Sequence, residues 1–430
     1  MSRVFAVAFR LKNSTLLRNS VWVLGGNSAR VVLQAIYFLL IARALGVREY
    51  GAFVGAVSLI AIAAPLSGWG TSFLLVKEVA RDRTLVRRRW GTALGVTLLF
   101  GSLLLGPILL VSRLLWGTSI PWRVLLFVGV SDLIVVRMVD VAVYLFVALE
   151  VLRKSSELNV VLGGARTFAA ACMVVMVKHP NASEWSILYL MSGVLAAAYG
   201  AVAVCRQFGF PQMRFWLTST EFREGFYYAI GLSSQTVYND VDKTMLVRWG
   251  GLDATGVYGA AYRIVDVSFA PVASLVNAAF ARFFQHGKAG IAESSWFARR
   301  LLPYTAGYGV FATVLLILLS RLVPRFLGAQ YMQDATAVRW LSPLVFFKSI
   351  HYFLADSMTG AGFQGLRASI QLAIVATNIL LNLWLIPAYS WRGAAWASLA
   401  SDGLLLVSLW LAVEFITSRP GRVLDFIQTP

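Results

Sequence analysis

Charge is scarce in this chain, and acid is scarcer than base. Asp, Glu, Lys and Arg make up 13% of 430 residues, with 20 acidic against 38 basic side chains. A soluble domain carries about 25% charged residues, so an ordinary soluble enzyme is excluded. Two cysteines exclude a disulfide scaffold, and three histidines supply no zinc-ligand set. No GxxxxGK[ST] loop, HExxH pair or GxSxG elbow is present, so the chain carries no ATPase motor, zincin helix or hydrolase nucleophile of those types. No loop is long enough to form a catalytic domain, and a non-enzyme is expected.

What fills the chain instead is apolar sequence: 58% of residues are AVILMFWYC. Runs long enough to cross about 30 Å of hydrocarbon as helices recur at 21–42, 51–76, 91–112, 123–149, 158–177, 185–205, 226–248, 254–281, 302–322, 335–355, 366–386 and 393–416. They are too long, and alternate too little, for the strands of a membrane barrel. The expected fold is all-α: a polytopic membrane protein of about twelve transmembrane helices.

Basic residues gather in alternate loops. Lys77, Arg81, Arg83, Arg87, Arg88 and Arg89 crowd one loop, whereas the preceding turn holds Arg43 and Arg48. The positive-inside rule then places both termini in the cytoplasm and the protein in a cell (inner or plasma) membrane. The net charge of +18 reads as topology and contact with anionic membrane lipids, with no nucleic-acid partner. Residues 1–20 read as a basic, amphipathic cytoplasmic segment, and 418–430 as a cytoplasmic tail. Cys172 and Cys205, on adjacent spans near opposite faces, read as free thiols. Asn181-Ala182-Ser183 has the form of a glycosylation sequon, which chance explains better.

The halves resemble each other. Gly46, Gly51, Phe53 and Ala56 match Gly251, Gly256, Tyr258 and Ala261 at an offset of 205. This offset superposes span 1 on span 7 and implies parallel repeats: an N-lobe at 21–206, a cytoplasmic linker at 207–222 and a C-lobe at 223–417. Two pseudo-symmetric six-helix lobes around a central cavity are expected.

Polar residues inside the spans point to that cavity. Asn27, Arg30, Gln34 and Tyr37 share an arc of about 80° on span 1, and Tyr228, Gln235, Asn239 and Asp242 about 60° on span 7. Gln371, Asn378 and Asn382 share a face of span 11, and Arg166 maps onto Gln371. A charge at mid-membrane costs at least about 2.5–3.5 kcal/mol, so such stripes face a bundle interior or a wet cavity. Arg137 with Asp140, Arg263 with Asp266, and Asp240 with Lys243 are spaced to neutralise each other. Arg30 has no acid at that spacing; its structural alternative is a pair with Asp132 or Asp240. His351 reads as a satisfied helix histidine, and Arg339 as an interfacial side chain.

Four segments carry a family resemblance. Ala42-Arg-Ala-Leu-Gly-Val-Arg-Glu-Tyr-Gly51 resembles the R-x-L-G-x-x-x-[YF]-G signature of polysaccharide transporters, the oligosaccharide-lipid flippases of the multidrug/oligosaccharidyl-lipid/polysaccharide flippase superfamily. Glu78-Val-Ala-Arg81 is similar to the end of their second helix. Asp242-Lys243 with Gly256-Val-Tyr258-Gly-Ala-Ala-Tyr262, and Asn378-x-x-x-Asn382-x-x-Leu-Ile-Pro387 before Gly393-Ala-Ala395, are similar to later segments. The resemblance implies an alternating-access transporter that moves polyprenyl-diphosphate-linked oligosaccharide from the cytoplasmic to the outer leaflet for cell-surface polysaccharide biosynthesis, beside polysaccharide assembly proteins. Within that reading Arg30, Lys243, Arg263 and Lys348 are the diphosphate candidates. Gln34, Asn239, Asn378 and Asn382 are the sugar-binding candidates, and Asp242 is the candidate for Na⁺ or H⁺ coupling. No other cofactor or metal is implied. The alternatives are a cation-coupled multidrug exporter of the same superfamily, a membrane-embedded glycosyltransferase or ligase, and a non-transporting scaffold.

Overall fold

The computed structural model describes residues 15–418, all helix, turn or loop with no strand among them. Most of the 1–20 segment and the tail from 419 lie outside the described residues. The helices are α1 (Thr15–Ser67), α2 (Thr71–Val79), α3 (Val86–Trp116), α4 (Trp122–Val130), α5 (Val136–Ala148), α6 (Leu152–Met176), α7 (Ala182–Phe208), α8 (Ser219–Trp249), α9 (Gly251–Gly287), α10 (Ile291–Leu319), α11 (Val323–Leu327), α12 (Met332–Leu341), α13 (Pro343–Gly360), α14 (Gln364–Tyr389) and α15 (Trp391–Ser418). Eight helical segments are individually long and apolar enough to cross a membrane. The first of them, Ser28–Ser67, holds two passes on either side of Gly46; α4 with α5, α8, and α12 with α13 are interrupted or carry charge, and the total agrees with about twelve passes.

Three interruptions have local causes. The first outer loop is a single-residue kink inside α1 at Gly46, with φ 71 and ψ 174, a region essentially restricted to glycine. Span 2 breaks at Trp69 and Gly70, both at positive φ, before α2 resumes. Span 4 is divided by one π-turn, Ser131–Val135, between α4 and α5. The expected span at 335–355 is likewise two helices, α12 and α13, meeting where Pro343 begins α13.

Caps set other boundaries. Asp82 accepts the Thr84 N–H, opening the turn that leads into α3. Asn181 accepts the Glu184 N–H at 2.9 Å as the N-cap of α7, so the residue of the sequon has a structural use. Glu49 accepts the Ala182 N–H at 2.8 Å, which gives one acid of the first signature a role at the same helix end.

The chain divides into two compact units, one running to Arg248 and the other from Trp249. The division falls one helix beyond the linker read from the sequence, because α8 is held to the first unit. The Trp69 indole donates to the Phe222 carbonyl, and the Trp116 indole to the Thr244 carbonyl. Gly225 lies against the Trp69 backbone, and Gly55 against Val247. Arg89 ion-pairs with both Glu78 and Glu221, and Lys77 with Glu224 at 2.7 Å. Glu221 lies below the ordinary glutamate pKa: partial burial pushes it up, but hydrogen bonds from Thr218 and Arg89 outweigh that push. Residues 209–218 run without helix along α3, where a Cβ on Gly91 or Gly95 would strike the carbonyls of Gln212 or Arg214.

The repeat is visible within each unit separately. Gly46 and Gly251, 205 residues apart, both take positive φ. Phe53 and Tyr258 are both buried, as are Ala56 and Ala261. Phe53 packs on Trp185 and Tyr189 of α7, while Tyr258 hydrogen-bonds Ser398 of α15 at 2.9 Å; each touches the last helix of its own half. Large apolar side chains such as Leu103, Leu114, Val175 and Leu318 stay exposed, as lipid-facing positions require.

Candidate functional site: polar clusters within the spans

In the first unit the Asn27 side chain of the α1 stripe lies outside the described residues. Arg30 is exposed and Gln34 half-buried, and neither forms a side-chain hydrogen bond or ion pair among the described residues. The acids that could have paired with Arg30 are engaged elsewhere: Asp132 faces Arg166 at 3.5 Å, and Asp240 holds Lys243 at 3.0 Å.

The stripe leads to a cluster that local sequence pattern did not assemble. Arg166 of α6 donates to the Tyr189 hydroxyl of α7 at 2.6 Å, and its guanidinium lies 4.2 Å from that ring's centroid. The Tyr189 hydroxyl also meets both Asp132 oxygens, at 3.0 and 3.1 Å, and the Ser131 hydroxyl donates to Asp132 at 3.1 Å. Beside it, Arg137 and Asp140 pair at 3.0 Å, as their spacing foretold.

On α8 the candidates Asn239, Asp242 and Lys243 do come together. The Lys243 ammonium donates to the Asn239 carbonyl and to Asp240, with Asp242 at 3.7 Å. Lys243 and Asp242 are both buried and Asn239 is half-buried, so this lysine's charge is balanced mainly by its own helix.

In the second unit one expected pair is replaced by another. Asp266 pairs with Lys348 of α13 at 3.4 Å rather than with Arg263. Lys348 can also reach Tyr262, donating to its hydroxyl at 3.0 Å with the ammonium 4.6 Å from the ring centroid. Arg263 is half-buried and forms no ion pair among the described residues. Asn378 and Asn382 are buried; Asn378 donates to the Ser401 hydroxyl at 3.0 Å, and Asn382 donates to Asn378. Asn378 therefore ties α14 to α15, and the buried Asn382 Oδ1 has no partner among the described residues. His351 is satisfied, as expected, by Asp402 at 2.9 Å, and Arg339 donates to the Ser320 hydroxyl. Neither carboxylate oxygen of the buried Asp334 has a partner among the described residues. Both cysteines are free, and no group of three metal-ligating side chains occurs among the described residues.

Long apolar helices enclosing paired charges, arranged as two compact units, define a multi-pass membrane protein with the fold of the MOP transporter superfamily. An inward-facing multidrug-resistance MATE transporter of that superfamily superposes with TM-score 0.73 at 12% identity, covering 90% of this chain and 96% of the other. The lipid II flippase MurJ, in an inward closed conformation, gives 0.68 at 13% identity, covering 93% and 87%. A MOP superfamily transporter from Pyrococcus furiosus, described as having a binding pocket of reversed polarity, gives 0.56 at 12% identity, covering 96% and 94%. No protein of curated function matches the sequence significantly. The model of the polysaccharide biosynthesis protein family matches residues 16–286; the chain belongs to that family.

Proposed function

We propose that this protein is an alternating-access transporter that moves polyprenyl-diphosphate-linked oligosaccharide from the cytoplasmic to the outer leaflet, without catalysing a covalent step. Family membership and the MOP fold support the class, and the loop charges support cytoplasmic termini. The observation that carries the substrate is Arg30, a guanidinium on a polar stripe within the spans and with no carboxylate beside it among the described residues. Such a charge needs water or an anionic ligand, and a diphosphate needs cations where water is scarce. A guanidinium suits it because its fork can bond two oxygens at once. Arg263 stands in the same condition in the second unit. Lys243 and Lys348 add positive charge already balanced by acids. Gln34 and Asn239, half-buried, are the side chains best placed to bond sugar hydroxyls, with Asn378 and Asn382 holding the helices behind. Asp242 is the coupling carboxylate for Na⁺ or H⁺. A multidrug exporter selecting organic cations would want unpaired acids; Asp132, Asp140, Asp240 and Asp266 all face cations, and the buried Asp334 is the acid that has no partner among the described residues.

The test is complementation of a strain lacking its oligosaccharide-lipid flippase. Arg30→Ala should abolish glycan output at unchanged abundance in membranes, and Arg30→Lys should restore part of it. Wild-type output from Arg30→Ala would remove the diphosphate role.

A further inference from the structure

Arg166 belongs to no site assigned above, yet the α1 stripe runs toward it. The Thr167 hydroxyl donates to the Leu33 carbonyl at 3.1 Å, Gly163 lies against the Leu33 side chain, and Gly26 lies against Ser156. These contacts make α1 and α6 parallel neighbours. Arg166 therefore stands about one helical turn, or ~5 Å, beyond Arg30, toward the end of both helices that the proposed topology places outside.

Its bond to the carboxylate is the loose one. The distance from Arg166 to Asp132 is 3.5 Å, long for a charge-assisted hydrogen bond. Asp132 is better bonded by the hydroxyls of Tyr189 and Ser131, which would stay with it if the guanidinium left. Of the five donors on a guanidinium, those of Arg166 that bond Asp132 and Tyr189 are on Nη2 alone. Its Nε is buried without a partner among the described residues, and so is that of nearby Arg137. The π-turn carries Ser131 and Asp132, the kind of local irregularity that recurs at functional sites.

We infer that Arg166 is a second diphosphate-binding station, one turn beyond Arg30, and that Asp132 occupies its guanidinium when no substrate is present. This inference rests on the proposed substrate class. The arriving diphosphate exchanges for the carboxylate. Arg166 then turns its fork, including the unused Nε, to phosphate oxygens, and Asp132 remains on Tyr189 and Ser131. Asp132 keeps two hydroxyl donors during the exchange, so the anion advances along α1 without the guanidinium being dehydrated anew.

A purely structural ion pair makes the opposite prediction for the acid. Removing Asp132 from a structural pair strands a charge and damages the site, whereas removing a competitor exposes it. Binding of inorganic diphosphate to the full-length protein in lipid nanodiscs, measured by calorimetry per folded molecule, separates the two. Asp132→Asn should bind about tenfold more tightly than wild type, the scale of one hydrogen bond to a charged group. Asp132→Asn combined with Arg166→Lys should lose that gain. If the Asn variant does not fold, Asp132→Ser carries the same expectation. An Asp132 variant that binds no more tightly than wild type overturns the inference, as does a gain that persists in the double variant. Either result, with Arg30-dependent glycan output retained, leaves the proposed function standing; loss of that dependence removes the proposed function itself.

Discussion

In the first unit a guanidinium lies 4.2 Å from a tyrosine ring, donates to that hydroxyl at 2.6 Å and faces an aspartate at 3.5 Å. In the second unit an ammonium lies 4.6 Å from a tyrosine ring, with the hydroxyl at 3.0 Å and an aspartate at 3.4 Å. The ring face, the hydroxyl and one carboxylate together make a cation tolerable among apolar helices. The two groups differ in which member is open. The Asp132 side chain is 17% exposed and that of Arg166 19%, whereas the Lys348 side chain is 6% exposed and that of Asp266 40%. The arginine keeps unused donors in a fixed fork, while the lysine is a compact charge sealed behind its acid. The first unit is therefore built to exchange its anion, and the second to keep it.

The largest effect should come from deleting each cation. Arg166→Met leaves Asp132 buried and uncompensated, at a cost of about 3–5 kcal/mol. Lys348→Met leaves an acid that is 40% exposed, at about 1 kcal/mol, the scale of an exposed pair. Unfolding in mild detergent titrated with dodecyl sulfate measures both, and equal losses would erase the distinction between the units.

Glycine contacts sharpen the comparison at a smaller scale. Gly360 of α13 meets the backbone of Phe283 in α9, whereas Gly91 of α3 meets the non-helical segment at Gln212. Two packed helices have no easy way to separate, but an extended strap can lift. Gly360→Ala should cost about 1–3 kcal/mol as an overpacked crossing, and Gly91→Ala distinctly less, read in the same titration. A Gly91 variant as damaged as the Gly360 variant would show the strap to be rigid.

Much of this architecture was legible because it is periodic or local. Hydropathy marked the passes, 3.6-residue spacing placed Arg30, Gln34 and Tyr37 on one stripe, and the 205-residue offset found Gly46 and Gly251 before their backbone was known. The unread part lies in contacts distant along the chain. Arg166 meets Asp132 34 residues away and Tyr189 23 residues away, and no helical period links them. The spacing rule that found Arg137 with Asp140 also offered Arg263 to Asp266; Lys348, 82 positions on, took that acid instead. The polar face of span 11 was visible, but not that its asparagines would bond Ser401 and each other.

The smallest expected difference, one near zero, tests the repeat. Gly46→Ala and Gly251→Ala each force a side chain into backbone that disfavours it, at about 1–3 kcal/mol. If the halves are true repeats, the two losses should agree within experimental error. A loss at only one of them would reduce the repeat to a coincidence of sequence.

The central claim is that an anionic lipid-linked glycan crosses the membrane on arginines. It is tested most directly with the purified chain in proteoliposomes, by following a labelled polyprenyl-diphosphate-linked sugar from one leaflet to the other with an impermeant reagent. Wild-type protein should move the lipid, and Arg30→Ala, incorporated in equal amount, should leave it where protein-free vesicles do. Movement by Arg30→Ala at the wild-type rate, or none by the wild type, would contradict the account.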